Sequence, residues 1–301
     1  MSIRRPSSSR AAHAAPIPAA AGVGLRFPHH KAVLASQARA AWFEVHPENY
    51  LGDGILSDML ETIRRDTPVS LHATGLSLGS ADGVDEDHLA AIVALAGRIQ
   101  PGLISDHLSW SAASGLHLPD LLPLPYTREA QDIFARNLGR VQTVLGRPIL
   151  IENPSVYLAF ADNEMREGEF LAGLARRSGC GLLLDINNVA VSAANLGEDP
   201  AARLHQMLDD LPALAIGEIH LAGHAVRELA DGTCVHIDDH GSPVSDDVWA
   251  LYDATIRRVG PRPTLIEWDT AIPAFARLAD EARTADAVMA KVLEVRHVAF
   301  G

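Results

Sequence analysis

Seven ionisable residues close short apolar runs spread along the chain: His46, His72, Asp106, Glu152, Asp185, His220 and Glu267. The runs are Trp42-Phe-Glu-Val-His46, Val69-Ser-Leu-His72, Leu103-Ile-Ser-Asp106, Ile149-Leu-Ile-Glu152, Leu182-Leu-Leu-Asp185, Ile216-Gly-Glu-Ile-His220 and Thr264-Leu-Ile-Glu267. A single carboxylate or imidazole in such a place is ordinarily a hydrogen-bonded cap. So many brought together would repel one another or need neutralising, and bound cations supply that neutralisation. The donors are nitrogen and oxygen only, which suits iron, manganese or zinc rather than copper(I) or an iron–sulfur cluster.

The segments after these runs add further donors. In His236-Ile-Asp-Asp-His240, Asp238 and His240 stand at i, i+2 of an extended segment and so share a face. His224 follows His220 closely, either to ligate or to orient a neighbour, and Asp185-Ile-Asn-Asn188 offers two amides, of which Asn188 is preferred over Asn187. Together these exceed what one ion takes, since a catalytic iron is typically held by about three protein ligands with positions left open. The site is therefore expected to be multinuclear, with Glu152, in the middle of the strand order, as the bridging carboxylate. Glu152, Asp185 and His220 are expected to carry the chemistry. Glu48, His107, His117 and Asn153 are expected at the rim, contacting the ligands or the substrate. His13, His29, His30, His88, His205 and His297 are read as solvated.

The elements that must position these residues follow from the alternation of runs. With Val23-Gly-Leu-Arg-Phe27 there are eight short apolar strands, separated by stretches of helical periodicity such as 57–65, 87–99, 127–145, 167–177, 201–211 and 246–259. Ser57, Thr127 and Ser245 stand as helix caps. Eight alternating units with no Pro/Gly-rich linker predict a single (β/α)8 barrel over residues 22–301, in which the C-terminal strand ends face one mouth. Residues 1–21 read as a disordered tail; Arg4-Arg5 lacks the apolar stretch a twin-arginine signal needs.

Composition narrows the function. The 301 residues are 48% hydrophobic and 21% charged, with net charge −13 and 5% aromatics, which disfavours nucleic acid and anionic lipid as partners. Two cysteines, Cys180 and Cys234, exclude a disulfide scaffold or a four-thiolate zinc cage; both read as structural, and the chain as cytoplasmic. No run reaches the roughly 20 apolar residues of a membrane span. The chain lacks a phosphate-binding glycine loop of standard spacing, against a nucleotide cofactor.

Eight motifs in order carry a family resemblance: Phe43-Glu-Val-His-Pro-Glu-Asn-Tyr50, Leu71-His-Ala-Thr-Gly-Leu-Ser-Leu-Gly79, Ser105-Asp-His-Leu-Ser-Trp110, Asp120-Leu-Leu-Pro-Leu-Pro-Tyr126, Ile151-Glu-Asn-Pro154, Leu184-Asp-Ile-Asn-Asn188, Glu218-Ile-His-Leu-Ala-Gly-His224 and Asp238-Asp-His-Gly241. From about Gly22 to about Asp280 the chain resembles the DUF692 (UPF0276) family of multinuclear non-heme iron-dependent oxidative enzymes. The resemblance implies a TIM barrel with two or three irons, a mixed-valence pair among them. Such an enzyme uses O2 to modify cysteines of a ribosomally made precursor peptide, which a partner protein helps to present. Known products include oxazolone–thioamide and related sulfur heterocycles. By position, the family's ligands fall on His46, His72, Asp106, Glu152, Asp185, His220, Asp238, His240 and Glu267, with Asn188. The segment Asp120 to Tyr126 resembles the bufferin-type variant. The competing expectations are a zinc or manganese hydrolase or isomerase of the sugar-isomerase and endonuclease type, and a metal carrier without catalysis.

Overall fold

The computed structural model describes residues 16–300, and side chains up to residue 294. Residues 1–15 of the expected tail, with His13, lie outside the described residues, as does the side chain of His297. The first strand begins at Ala21, so the tail expected through Ala21 gives way to barrel at its last residue.

Eight parallel strands close into a barrel. They are β1 (Ala21–Gly24), β2 (Phe43–Val45), β3 (Val69–His72), β4 (Ile104–His107), β7 (Leu150–Glu152), β8 (Gly181–Asp185), β9 (Ile216–Leu221) and β12 (Thr264–Ile266), in that order around the ring. Closure is made by β1, where Val23 is in register with Ile266 on one side and Phe43 on the other. Two antiparallel hairpins, not among the expected strands, lie outside the barrel: β5 (Trp110–Ala113) with β6 (Leu116–Leu122), turning at Ser114-Gly115, and β10 (Ala225–Glu228) with β11 (Cys234–Ile237), turning through Asp231-Gly232. Both follow a barrel strand and so rise on the C-terminal face.

Helices α1 (His30–Leu34), α2 (Ile55–Asp66), α3 (Glu86–Ile99), α4 (Arg128–Leu145), α5 (Glu167–Ser178), α6 (Ile186–Leu196), α7 (Pro200–Asp210), α8 (Asp246–Val259) and α9 (Phe275–Phe300) accompany the strands. The expected caps at Thr127 and Ser245 are present, accepting from Ala130 N–H and Val248 N–H. Ser57 is not a cap: α2 starts at Ile55 with Gly54 in the N-cap position, and the Ser57 hydroxyl donates to the Tyr50 carbonyl at 2.8 Å. Helix α6 follows β8 directly, and its first two turns, Ile186 to Ala193, are buried throughout.

Strand alternation sorts the barrel into two solvents. Val45, Leu71, Ile104, Ile151, Leu184, Ile219 and Ile266 are buried in one continuous core with Leu60, Leu89, Ile92, Phe134, Phe170 and Tyr252 of the helices. The other parity points inward. At one end of that interior the fully buried Trp42 lies against Gly22, and its indole N–H donates to the Ala20 carbonyl at 2.9 Å. A Cβ on Gly22 would stand 2.4 Å from the Trp42 ring.

Replacing Gly22 with valine should therefore lower the unfolding free energy by about 3 kcal/mol, the upper part of the usual overpacking cost. The urea midpoint of the purified variant measures it, and an unchanged midpoint would show that the Trp42 plug can shift.

Candidate metal centre

The inward parity places the donors. Because successive side chains alternate across a strand, Glu44 shares its face with His46, Ser70 with His72, Ser105 with His107, and Glu218 with His220. Neighbouring strands are in register so that His107 lies beside Glu152, and Asp185 beside His220. Residues far apart in sequence thus meet near one level of the barrel.

Two overlapping groups form. In the first, His72 Nε2 is 3.1 Å and His107 Nε2 is 3.4 Å from Glu152 Oε2, and the two imidazole nitrogens are 3.2 Å apart. His72 Nδ1 is tied to the Ser105 hydroxyl at 2.8 Å. In the second, His220 Nδ1 is 3.1 Å from Glu267 Oε2, with Asp185 offering a donor within 4.8 Å of both. His220 also belongs with His72 and Glu152, and on its other side with Glu44 and Glu218. Toward the rim, His46 Nε2 faces Asp269 at 3.7 Å and Glu267 at 4.0 Å. His46 Nδ1 donates to the His72 carbonyl at 3.2 Å, since a carbonyl only accepts, which leaves Nε2 as the nitrogen turned toward the carboxylates. His240 bridges Asp238, 2.7 Å from its Nε2, and Asp269, 3.3 Å from its Nδ1.

The electrostatics are those of excess negative charge out of water. Burial and the neighbouring carboxylates push Asp185 up to about 7 and Glu152 well above the ordinary range. Burial and the Glu44 charge push Glu218 up to about 8. Burial likewise works against ionised Glu267 and Asp269, but His240, His220, His46 and Arg26 hold these two well below it. For His72, burial and its neighbours His107 and His220 favour the neutral ring; burial brings His107 down to about 4. Burial opposes a charge on His220 too, yet the surrounding glutamates hold its pKa well above the ordinary value. The strand without a donor at its end supplies a cation: Arg26, just beyond β1, donates from Nε to Asp269 at 2.6 Å and reaches Glu267 at 3.2 Å. Gly24 leaves it room, since a Cβ there would stand 2.9 Å from the guanidinium.

These residues fit metal ions. Glu152 Oε2, Asp185 Oδ2 and Asn188 Oδ1 are buried without a hydrogen-bond partner. Left so, each forfeits its hydration for nothing in return, a cost of about 1–3 kcal/mol per polar group and more for a charge. An ion among them recovers it.

The structure brings together His46, His72, Glu152, Asp185, His220, Asp238, His240 and Glu267, with Asn188 donating to Glu152 at 3.3 Å. It does not bring Asp106. Strand β4 runs one residue further than the expected Leu103–Asp106, so the pleat points Ser105 and His107 inward. The Asp106 carboxylate instead accepts from Leu76 N–H at 3.1 Å and His107 N–H. Asn187 links Asp238 to His224, which in turn meets His236 at 2.9 Å; His224 orients a neighbour and belongs to none of the converging groups. Asn153 brackets Asp185, its amide donating to the Asp185 carbonyl. Glu48 caps Thr74 and Gly75 and pairs with His88 at 3.3 Å, while His117 is exposed on the β5–β6 hairpin. His29 and His30 are buried rather than solvated, held by the Pro273 carbonyl and the Tyr50 hydroxyl; His205 is exposed as expected. Cys180 is buried, but Cys234 is exposed and so is not a core residue.

Sequence reasoning missed Glu44, Glu218, Asp269 and Arg26. The first two carried a signal, since each stands two residues before a strand-end histidine and must share its face.

The mouth has an apolar rim. Phe27, Ile55, Leu116, Leu118, Tyr157, Leu158, Val226 and Leu229 are exposed, and all lie in segments that follow a barrel strand. Beside them a cleft of about 890 Å³ runs between the β5–β6 hairpin and the segment after β3, lined by Glu48, Leu76, Asp82, His88, His117 and Leu118.

Known proteins place this arrangement. Residues 20–290 match the family model described as RiPP precursor modification enzyme MbnB/TglH/ChrH. A UPF0276 protein of Caulobacter sp. (strain K31) is 54% identical over 85% of this chain and 91% of its own. A UPF0276 protein of Caulobacter vibrioides (strain NA1000 / CB15N) is 50% identical over 90% and 95%. Among solved structures, an L-ribulose 3-epimerase superposes with TM-score 0.59 at 16% identity, covering 93% of this chain and 97% of its own. Endonuclease IV from Thermus thermophilus gives 0.56 at 15%, over 88% and 98%. At such identities the last two show a common barrel and nothing of its chemistry. With its match to the family model spanning nearly all the described residues and half of its positions shared with UPF0276 relatives, the chain belongs to the UPF0276 (DUF692) family of precursor-peptide modification enzymes.

Proposed function

We propose that the cluster holds two or three iron ions and that the enzyme uses them with O2 to oxidise cysteine residues of a ribosomally made precursor peptide. The observation that carries this reading is the convergence of His72, His107, Glu152, Asp185, His220 and Glu267, buried, without thiolates, and with carboxylate oxygens left unpartnered. His72, His107 and Glu152 would hold one ion, and Asp185, His220 and Glu267 another, with Glu152 and the Asn188 carbonyl oxygen between them. His46, Asp269, His240 and Asp238 would serve the rim-side position. Bound iron supplies a Lewis acid for the substrate thiolate and one-electron chemistry toward O2.

The chain's own residues do the rest. Arg26 offsets Glu267 and Asp269, so that the rim keeps a defined charge whether or not every position is filled. The Asp106 carboxylate fixes the turn after β3 by accepting Leu76 N–H, and Asn187 keeps the Asp238 carboxylate facing His240. The apolar rim receives an extended peptide, and a presenting partner protein, better than it would a small polar substrate. The enzyme works in the cytoplasm, where Cys180 and Cys234 remain reduced; no helix among the described residues is long and apolar enough to cross a membrane.

Elemental analysis and electron paramagnetic resonance of protein purified at low oxygen without chelators should give at least two irons per chain, with signals of coupled ferrous–ferric centres. Zinc or manganese alone, with no uptake of iron, would sink the iron reading and favour a metal-dependent hydrolase or isomerase. Stripping the metals should lower the melting temperature by about 5 °C or more, the shift expected when a few kcal/mol of binding are withdrawn. Glu152→Ala should lose more than one metal equivalent and abolish O2 consumption with a cysteine-containing peptide, whereas His117→Ala should retain its metals. Equal metal content in the two variants would remove Glu152 from the bridging role.

A further inference from the structure

His220 stands between two acidic groups. Its Nδ1 is 3.1 Å from Glu267 Oε2 and 3.9 Å from Glu152 Oε1, on the side of the mouth. Its Nε2 is 3.3 Å from Glu44 Oε2 and 3.7 Å from Glu218 Oε1, one pleat deeper in the barrel, in close contact but with no closed hydrogen bond, whereas Nδ1 is hydrogen-bonded to Glu267. All five side chains are 3% exposed or less. Both groups have the makings of an ion site, and they compete for the same imidazole.

A neutral imidazole has one lone pair and one N–H. Ligating an ion on each side would require stripping the ring of its last proton, so only one group can take the lone pair while the other accepts the N–H. The mouth side has further donors converging on it, in His72, Asp185 and the orphaned Asn188 Oδ1. The deep side has only the two glutamates; its neighbour Ser70, in register with Glu44, contributes a hydroxyl that is itself unpartnered.

We propose that Glu44 and Glu218 are positioning residues: once a metal takes Nδ1 of His220, they accept the Nε2–H from below and so hold the tautomer whose Nδ1 lone pair faces the metal cluster. Hydrogen bonding of a ligand imidazole to a carboxylate also makes its free nitrogen a stronger donor, and loss of such a partner typically weakens metal binding about 10–100-fold. This inference rests on the mouth-side cluster holding metal, whichever metal that is.

Cobalt(II) and zinc(II) test it independently of iron and of turnover. The full chain, stripped of metal, is titrated anaerobically with each ion, alongside Glu44→Gln, Glu218→Gln and the double variant. The expected result is unchanged stoichiometry, a fall in cobalt affinity of about 10-fold in the single variants and up to about 100-fold in the double, and a shifted cobalt ligand-field band. The metal-free double variant should melt no lower than the parent, since it no longer buries two acidic groups. Loss of one whole metal equivalent would make the glutamates ligands of a deep ion, and identical affinity and spectrum would leave them without a role; either overturns the proposal. No binding of either ion by the parent chain overturns it too, and removes the metal reading beneath it. Should the double variant fail to fold, 15N-histidine spectra of the zinc-loaded parent, assigned with His220→Gln, decide alone. A proton on Nε2 of His220 supports the proposal, and a proton on Nδ1 or on neither nitrogen overturns it.

Discussion

Negative charge buried inside the barrel is the constraint to which the rest of the molecule answers. Each ionised carboxylate taken out of water without a partner costs several kcal/mol even after relaxation. The whole stability of a domain is about 5–15 kcal/mol. Glu44, Glu152, Asp185, Glu218 and Glu267 cannot all lie within one interior as bare charges. Some compensation is built in: Arg26 serves Glu267 and Asp269, and Asp185 caps α6 by accepting the Asn188 N–H at 2.6 Å. One oxygen each on Glu152 and Asp185, and the Asn188 Oδ1, remain without partners. That residue of unmet demand is what the proposed cations would answer.

The barrel makes such a concentration of charge tolerable because its strands separate two environments by parity. The helix-facing parity, with Val45, Leu71, Ile151 and Ile219, buries a continuous apolar core that owes nothing to the metal centre. Site residues therefore hang from rigid strands, while the hairpins and the apolar rim come from connecting segments that vary without disturbing it. A sugar epimerase and an endonuclease share the same frame at 15–16% identity. Function has to be read from the strand ends and from what rises above them.

Much of this is legible in the sequence, and the failures have physical causes. Eight strands, the barrel and most of the converging donors follow from short apolar runs that end in ionisable residues. Asp106 fails because β4 extends one residue further than its apolar run, and a one-residue difference reverses which side chain faces in; His107 takes the place. Glu44 and Glu218 fail for the opposite reason, since attention to strand ends passes over residues two positions earlier on the same face. Helix α6 starts at the residue after β8, with Asp185 both strand end and N-cap, so no loop marks it off. The hairpins do carry a signal, in the turn dipeptides Ser114-Gly115 and Asp231-Gly232 whose glycines stand at positive φ, but it lies outside the strand-and-helix alternation. His29 and His30 look solvated beside Phe27-Pro28, yet long-range contacts to Pro273 and Tyr50 bury them, and nothing local encodes those contacts.

The sharing of His220 among three of the four donor groups has a further consequence. A residue with one lone pair cannot satisfy three demands, so the groups are not independent sites that fill one after another. A metal at the His72–Glu152 side would draw on the same ring that faces Asp185 and Glu267, and on our proposal its orientation is then set from beneath by Glu44 and Glu218. Substitutions within such a unit are strongly non-additive, because the first change already disturbs what the others hold. A cluster wired through one imidazole is thus better described as a single polar network than as a row of metal sites, and its geometry is fixed from the floor of the barrel upward.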